Sequence, residues 1–315
     1  MLPAIFSSQS LTLSDSEARF FRESDPLGFI LFGRNIETPE QVKRLTDELR
    51  NSVGRDCPIL IDQEGGRVQR MKPPHWTACP SAQSCSSVED VKNAARVIAQ
   101  ELVSAGIDVN CAPVMDVLHH ETHQAIGDRA FSDDPQDVFQ KAQAVCDVFL
   151  EYGVTPTVKH MPGQGRATVD SHYDLPVVKA SVSDLQNHDF IPFSRISRAL
   201  EAPLIWGMVS HVVYEAIDPA YPATLSPAVI KVIREQMGFD GLLCTDDMSM
   251  GALKTFGNIA ENSKTALESG IDIALYCWAQ LTEMESLAST LPRMSSATKK
   301  RYDRSRIRRR STAST

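Results

Sequence analysis

No run of roughly 18 apolar residues occurs in this chain, so no segment reads as a transmembrane helix. The seven cysteines, at 57, 79, 85, 111, 146, 244 and 277, are odd in number, scattered and without a C-x-x-C pair. That pattern argues against a disulfide framework or a zinc knuckle. The Pro-Gly-Gln-Gly of residues 162–165 is not followed by the Lys-Ser/Thr of a phosphate-cradling loop. An excess of positive charge is missing too. The formal net charge is −8, and no nucleic-acid partner is expected. The opening residues, Met-Leu-Pro-Ala-Ile-Phe-Ser-Ser-Gln-Ser, carry no basic stretch and no long apolar run. No secretory signal is read, membrane insertion is not expected, and a cytoplasmic location follows as the default.

What the chain does have is length and core. Its 315 residues are 42% apolar, enough for one large barrel or two medium domains. Short β-branched runs recur near residues 3–6, 27–32, 58–61, 107–112, 154–158, 203–209, 241–245 and 271–275. Helical patterns separate most of them. Thr38-Pro39-Glu40-Gln41 carries an N-cap, a proline at the first helical position and a capping-box Gln. Residues 88–105, 134–152, 226–237 and 259–269 also read as helices, each ending before a glycine. Strands alternating with helices give a parallel α/β sheet. With no visible linker, a single (β/α)8 TIM-type barrel over residues 1–298 is the simplest arrangement, a doubly wound open sheet the alternative.

The chemistry-bearing residues sit where strands end. The third run leads into Asp62-Gln63-Glu64-Gly65-Gly66-Arg67, the fourth towards Asp116 and Gly127-Asp128-Arg129. The fifth ends at Lys159-His160, the sixth at Ser210-His211, the seventh at Asp246-Asp247. In a barrel these ends converge on one mouth. Residues 159–172 are the densest stretch, broken by Pro162, Gly163 and Gly165 and ending in Asp170-Ser171-His172. A carboxylate two residues before a histidine can accept its Nδ1 proton and stabilise the imidazolium. Successive residues leaving a strand point to opposite sides, so one of Asp246 and Asp247 faces the mouth.

Two other stretches carry weaker signals. His119 and His123 have helical i,i+4 spacing without the H-E-x-x-H pattern, so a polar loop is preferred to a metal site. Residues 299–310 carry eight Lys/Arg and one Asp, with Tyr302 and Ile307 too few to build a core. Residues 299–315 are therefore expected to be a basic tail, frayed or disordered.

Three motifs taken together carry a resemblance. They are Ile-Asp-Gln-Glu-Gly-Gly-Arg-Val-Gln-Arg (61–70), Lys-His-Met-Pro-Gly-Gln-Gly (159–165) with Asp170-Ser-His172, and Thr245-Asp-Asp-Met-Ser-Met250. Over roughly residues 3–290 the chain resembles the family 3 glycoside hydrolases. Within them it is similar to the β-N-acetylhexosaminidases that recycle bacterial cell wall. The resemblance implies a retaining exo-hydrolase removing terminal non-reducing β-N-acetylglucosamine from muropeptide fragments. It implies Asp246 as nucleophile and His172, with Asp170, as acid/base. It implies that Asp62, Arg70, Arg129, Lys159 and His160 hold the sugar. No metal or cofactor is implied, the partner is a small sugar, and a monomer is expected. Gln164 stands where the family usually has His, and Met161 where it usually has Phe. Two other readings remain open: a phosphorylase, in which phosphate resolves the glycosyl-enzyme, and a non-catalytic sugar-binding barrel.

Overall fold

The structure is a computed structural model, and it describes residues 1–306. Eight parallel strands close into a barrel: Leu2–Phe6, Pro26–Leu31, Ile59–Ile61, Val109–Asn110, Thr155–Met161, Trp206–Val209, Leu242–Asp247 and Ile273–Leu275. Closure comes from pairing of the eighth strand with the first, Ala274 beside Ala4 and Leu275 beside Ile5. All eight expected runs are strands, and the (β/α)8 expectation holds. The fourth is the shortest: it runs into Pro113, which cannot donate a ladder hydrogen bond. The fifth is longer than expected and carries Lys159 and His160 inside the sheet.

Helices cover the outside. Pro39–Val53 is capped by Thr38 Oγ1, which accepts from Gln41 N–H, and ends at Gly54 in the left-handed region. Val88–Ser104 and Pro135–Glu151 lie where their caps place them, at Ser87 and Asp134. Helix Asp15–Ser24 is not among the helices read from the sequence; Ser14 and Glu17 form its capping box, and Phe20 and Phe21 pack on the barrel. The expected helix at 226–237 begins as Pro227–Lys231 and continues as a wider turn, Val232–Gln236.

Strand alternation divides the core in two. Leu242, Cys244, Met208, Ile273 and Leu275 fill the barrel interior, while Leu243, Val209 and Ala274 face the helices. The amino-terminal end of the barrel is plugged by helix Ser296–Ser305. Its Tyr302 is buried with the interior residues, and Ser305 Oγ accepts from Trp206 Nε1–H at 2.9 Å. Arg301 and Arg304 pair with Asp240, and Arg301 also with Asp272.

This corrects the expectation of a frayed tail for residues 299–305. One tyrosine does not make a core by itself, but here it completes one that the strands supply. The boundary expected at residue 298 falls inside the helix. Residues 307–315 lie outside the described residues. Among the described residues no helix is long and apolar enough to cross a membrane. Tyr302→Ala should lower unfolding stability by about 3 kcal/mol, as for other buried aromatic truncations. Urea unfolding checks this, and a change within error of zero would mean the helix is not part of the core.

Candidate active site

The carboxyl ends of the strands open into a cavity of about 430 Å³. All eight residues singled out above border it: Asp62, Arg70, Arg129, Lys159, His160, Asp170, His172 and Asp246. Ile30, Met208 and Leu275 form its apolar floor, and Trp278 stands exposed at its rim.

One wall is a charge cluster built around the buried Lys159. Lys159 Nζ lies 2.9 Å from Asp62 Oδ1 and 2.6 Å from Glu64 Oε1. Arg129 grips Glu64 through two bonds of 2.9 Å, and Arg70 reaches Asp62 at 3.2 Å. Burial alone would raise both carboxyl pKa values, but the cations outweigh it. Arg129 and Lys159 hold Glu64 down to about 2, and Lys159 and Arg70 hold Asp62 well below the usual range. Burial would likewise drive Lys159 towards neutrality, and the two carboxylates instead raise its pKa. The cluster therefore stays fully ionised.

Asp246 ends the seventh strand. Leu242 and Cys244 face the interior, so alternation turns Asp246 inward. Burial would raise its pKa, yet it is lowered, first by His160 and His211 and then by the Asp247 N–H that it accepts at 2.8 Å. Asp247 also borders the cavity, but its oxygens are occupied. Oδ2 accepts from Ser249 Oγ–H at 2.6 Å, and Oδ1 from the amides of Ser249 and Cys277 at 3.2 Å. Asp246 is thus the ionised carboxylate with a free face.

Opposite stands the loop of residues 163–174. His172 Nδ1–H donates to Asp170 Oδ1 at 2.7 Å, and the His172 amide donates to the same oxygen at 3.0 Å. Burial works against Asp170, but these bonds bring its pKa below the ordinary value. An ionised carboxylate only accepts, so Nδ1 keeps its proton and Nε2 is the nitrogen left for any further proton. Gly165 makes the turn possible, since a Cβ there would lie 1.8 Å from Val117 O.

Several contributors were not singled out from the sequence as site residues. Asp116, fully buried, accepts from His160 Nδ1–H at 2.6 Å and from the amides of His160 and Gln164. It sets the His160 tautomer and turns Nε2 outward. His211 bonds Thr224 and the Asp247 carbonyl, and burial lowers its pKa against the opposing pull of Asp246. Both residues follow strands, the placement that marks them in the sequence without giving them a role. Glu64 lies within the Asp-Gln-Glu motif, but its partners come from distant strands.

Gln164 donates to Ser171 Oγ at 3.3 Å, while its Oε1 is buried without a partner, as is Arg70 Nε. Both residues border the cavity, which leaves an acceptor and a donor available to a ligand. Met161 is buried against Gly207, so that departure from the family pattern is absorbed by packing.

The model of the Glycosyl hydrolase family 3 N terminal domain matches residues 12–309. The chain belongs to family 3 of the glycosyl hydrolases. The chain is 38% identical over 277 residues to a beta-hexosaminidase of Thiobacillus denitrificans, covering 84% of this chain and 75% of that one. It is 37% identical over 264 residues to the beta-hexosaminidase of Haemophilus influenzae, covering 81% and 74%. The NagZ structure of Neisseria gonorrhoeae in complex with N-trifluoroacetyl-D-glucosamine superposes with a TM-score of 0.86 at 29% identity, covering 97% and 90%. A family 3 β-N-acetylglucosaminidase of Paenibacillus sp. gives 0.85 at 30% identity, and this chain spans 96% of itself but 59% of that larger protein. Like its family, the protein is a glycoside hydrolase.

The grouping with metal-ligand spacing among the described residues is His119, His188 and Asp189, not His119 with His123. His119 Nε2 lies 2.8 Å from Asp189, and Arg166 Nε donates to the same carboxylate at 2.7 Å, so a metal ion there would face a guanidinium. His123 Nδ1 accepts from the Ala125 amide within a turn, and residues 119–123 are not helical. Burial raises the pKa of the Cys111, Cys244 and Cys277 thiols, which excludes them as nucleophiles near neutral pH.

Glu64→Gln should cost about 3 kcal/mol by leaving Arg129 and Lys159 undercompensated. The pH dependence tests the cause. The folded pKa lies below the ordinary 4.5, so the stabilisation is present above 4.5 and is lost as pH falls towards about 2. In urea unfolding, wild type and variant should converge over that window. A constant gap would reject the ion cluster as the source.

Proposed function

We propose that this protein is a retaining exo-β-N-acetylhexosaminidase that removes terminal non-reducing N-acetylglucosamine from cell-wall muropeptide fragments. One observation carries the reading. A half-buried Asp246 with a lowered pKa and a His172 whose proton-carrying nitrogen is set by Asp170 border the same small cavity. Its remaining wall is a cluster of hydrogen-bonding groups of both signs, suited to a polyhydroxylated ring. The names of the relatives point to the same sugar class.

In this reading Asp246 attacks the anomeric carbon and the glycosidic bond breaks. His172 Nε2–H protonates the leaving oxygen, giving a glycosyl ester on Asp246. The aglycone leaves, and the now neutral Nε2 takes a proton from water as the water attacks the anomeric carbon, which breaks its bond to Asp246 and regenerates the carboxylate. Most glycosidases use a second carboxylate as acid. A histidine reaches the same end because it can be charged or neutral near pH 7. Asp62, Arg70, Arg129, Lys159 and His160 bind the sugar, with Glu64 holding Lys159 and Arg129 in place. Asp116 keeps His160 oriented. The reading retains the cytoplasmic monomer expected from the sequence and uses no metal or redox cofactor.

Asp246→Ala should abolish turnover and leave the fold unchanged by circular dichroism. A 5-fluoro glycosyl inactivator should label one peptide, the one containing Asp246. Full activity of the variant or an adduct elsewhere would overturn the nucleophile assignment. Nitrophenyl sugars differing only at C2 test the substrate. The 2-acetamido sugar should exceed the glucoside in kcat/KM by about 10²-fold or more, because unpaired site groups penalise the analogue that lacks the acetamide. Equal values would sink the N-acetylglucosamine reading. The same assay in phosphate buffer separates hydrolysis from phosphorolysis by its product, and EDTA should leave the rate unchanged. No turnover of any glycoside would favour a binding barrel.

His172→Ala should lose about 10² to 10⁴-fold on a disaccharide and much less on a nitrophenyl glycoside, whose leaving group needs little protonation. Glycosyl-enzyme should then accumulate and give a burst on activated substrates. An equal loss across leaving groups of graded pKa would mean that His172 is not the acid.

A further inference from the structure

The loop of residues 163–174 is held in two unequal halves. Its first half is tied down by side chains and backbone from several elements. Tyr214 O–H donates to Gly163 O at 2.8 Å, Thr122 Oγ1–H to Gly165 O at 2.6 Å, and the His123 amide to Ala167 O at 3.0 Å. Arg166 is anchored on Asp189.

The second half, which carries Asp170 and His172, is held differently. The Gly251 amide donates to His172 O at 3.0 Å, and the Ala252 amide to Ser171 O at 3.2 Å. The His172 side chain is 62% exposed, so packing does little to fix it. Its position is set by where its backbone lands. Gly251 and Ala252 follow Asp246 by five and six residues on the segment that leaves the seventh strand.

Gly251 is fitted to this landing. A Cβ on it would lie 2.5 Å from Tyr173 O and 2.7 Å from His172 O. Both neighbours are backbone, so no rotamer change relieves the contact. Its φ is not in the left-handed region, so its own conformation does not call for glycine. The docked loop does.

We propose that Gly251 is a positioning residue, the seat on which the acid/base loop docks. The two amides after the nucleophile strand take the loop's carbonyls and so reference His172 to Asp246 through one short stretch of chain. The inference rests on the roles proposed above for those two residues. A side chain at 251 lifts the loop, leaves Asp246 in place, and removes proton transfer without touching the nucleophile.

The test is Gly251→Ala. On an N-acetylglucosamine disaccharide its kcat/KM should fall by about 10²-fold or more, the range of general acid–base assistance. On the dinitrophenyl glycoside the fall should be far smaller, and labelling of Asp246 by a 5-fluoro inactivator with a good leaving group should proceed at close to the wild-type rate. Azide, which needs no base to attack the glycosyl-enzyme, should speed turnover of the dinitrophenyl substrate by the variant and not by wild type.

The double variant with His172→Ala should be no worse than His172→Ala alone, because both changes remove the same function. A loss equal for all leaving groups, or one that adds to that of His172→Ala, would overturn the seat. If the nucleophile variant Asp246→Ala stays active, the functional reading itself has failed, which is a distinguishable result. Should Gly251→Ala not fold, hydrogen exchange on the unaltered protein decides. Trapping the glycosyl-enzyme should slow exchange in peptides spanning 249–255 and 170–174 together. Independent exchange of the two would reject the seat.

Discussion

The pairing of the last strand with the first is the constraint on which everything else depends. An open sheet would spread its strand ends along an edge some tens of ångströms long, at about 4.8 Å per strand. Closure bends that edge into a rim and brings Asp62, Lys159, His160 and Asp246, from three different strands, to one cavity. The side-chain alternation of each strand then decides which of two neighbours faces in. The same alternation that puts Leu242 and Cys244 in the interior puts Asp246 at its upper end.

Crowding so many charges into a closed rim has a physical consequence. Burial opposes every ionised group there, and isolated charges would be neutralised. The site avoids this by interleaving signs: Arg70, Asp62, Lys159, Glu64 and Arg129 form a continuous chain of ion pairs. Two of the five, Lys159 and Glu64, are almost wholly shielded from water. A wall built this way stays polar and rigid, and it presents both donors and acceptors, with three cations against two carboxylates. At the opposite end of the barrel, helix Ser296–Ser305 closes the interior with Tyr302, so the mouth is the end of the barrel that opens onto the cavity.

The two halves of the proposed chemistry are held to different standards of order. Asp246 belongs to the sheet and moves only if the barrel does. His172 stands on a loop, mostly exposed, fixed by Asp170 and by the backbone of its landing. A group that must enter with the substrate, deliver a proton and later collect one is better placed on a segment that can lift. The structure accordingly puts tight anchors on residues 163–167 and only backbone bonds and a long Gln164–Ser171 contact beyond them.

Much of this was legible in the sequence. Apolar runs and glycine stops marked the eight strands and most outer helices, because strand burial and helix capping are local matters of pattern. The polar residues after those runs marked the mouth, since chain order alone says which end of a parallel strand comes last. The Asp170–His172 pair was visible because its two partners are two residues apart. What the sequence could not reveal depends on partners far along the chain. Asp116 turning His160 joins residues 44 apart, and Glu64 gripped by Arg129 joins residues 65 apart. Helix Ser296–Ser305 looked like a charged tail because the core that Tyr302 completes is contributed by strands, and Gly251 looked like any other glycine until the loop lying against it was in place. Local pattern determined the elements and their order; only closure of the barrel decided which distant groups would meet, because each of those contacts requires the whole ring to exist first.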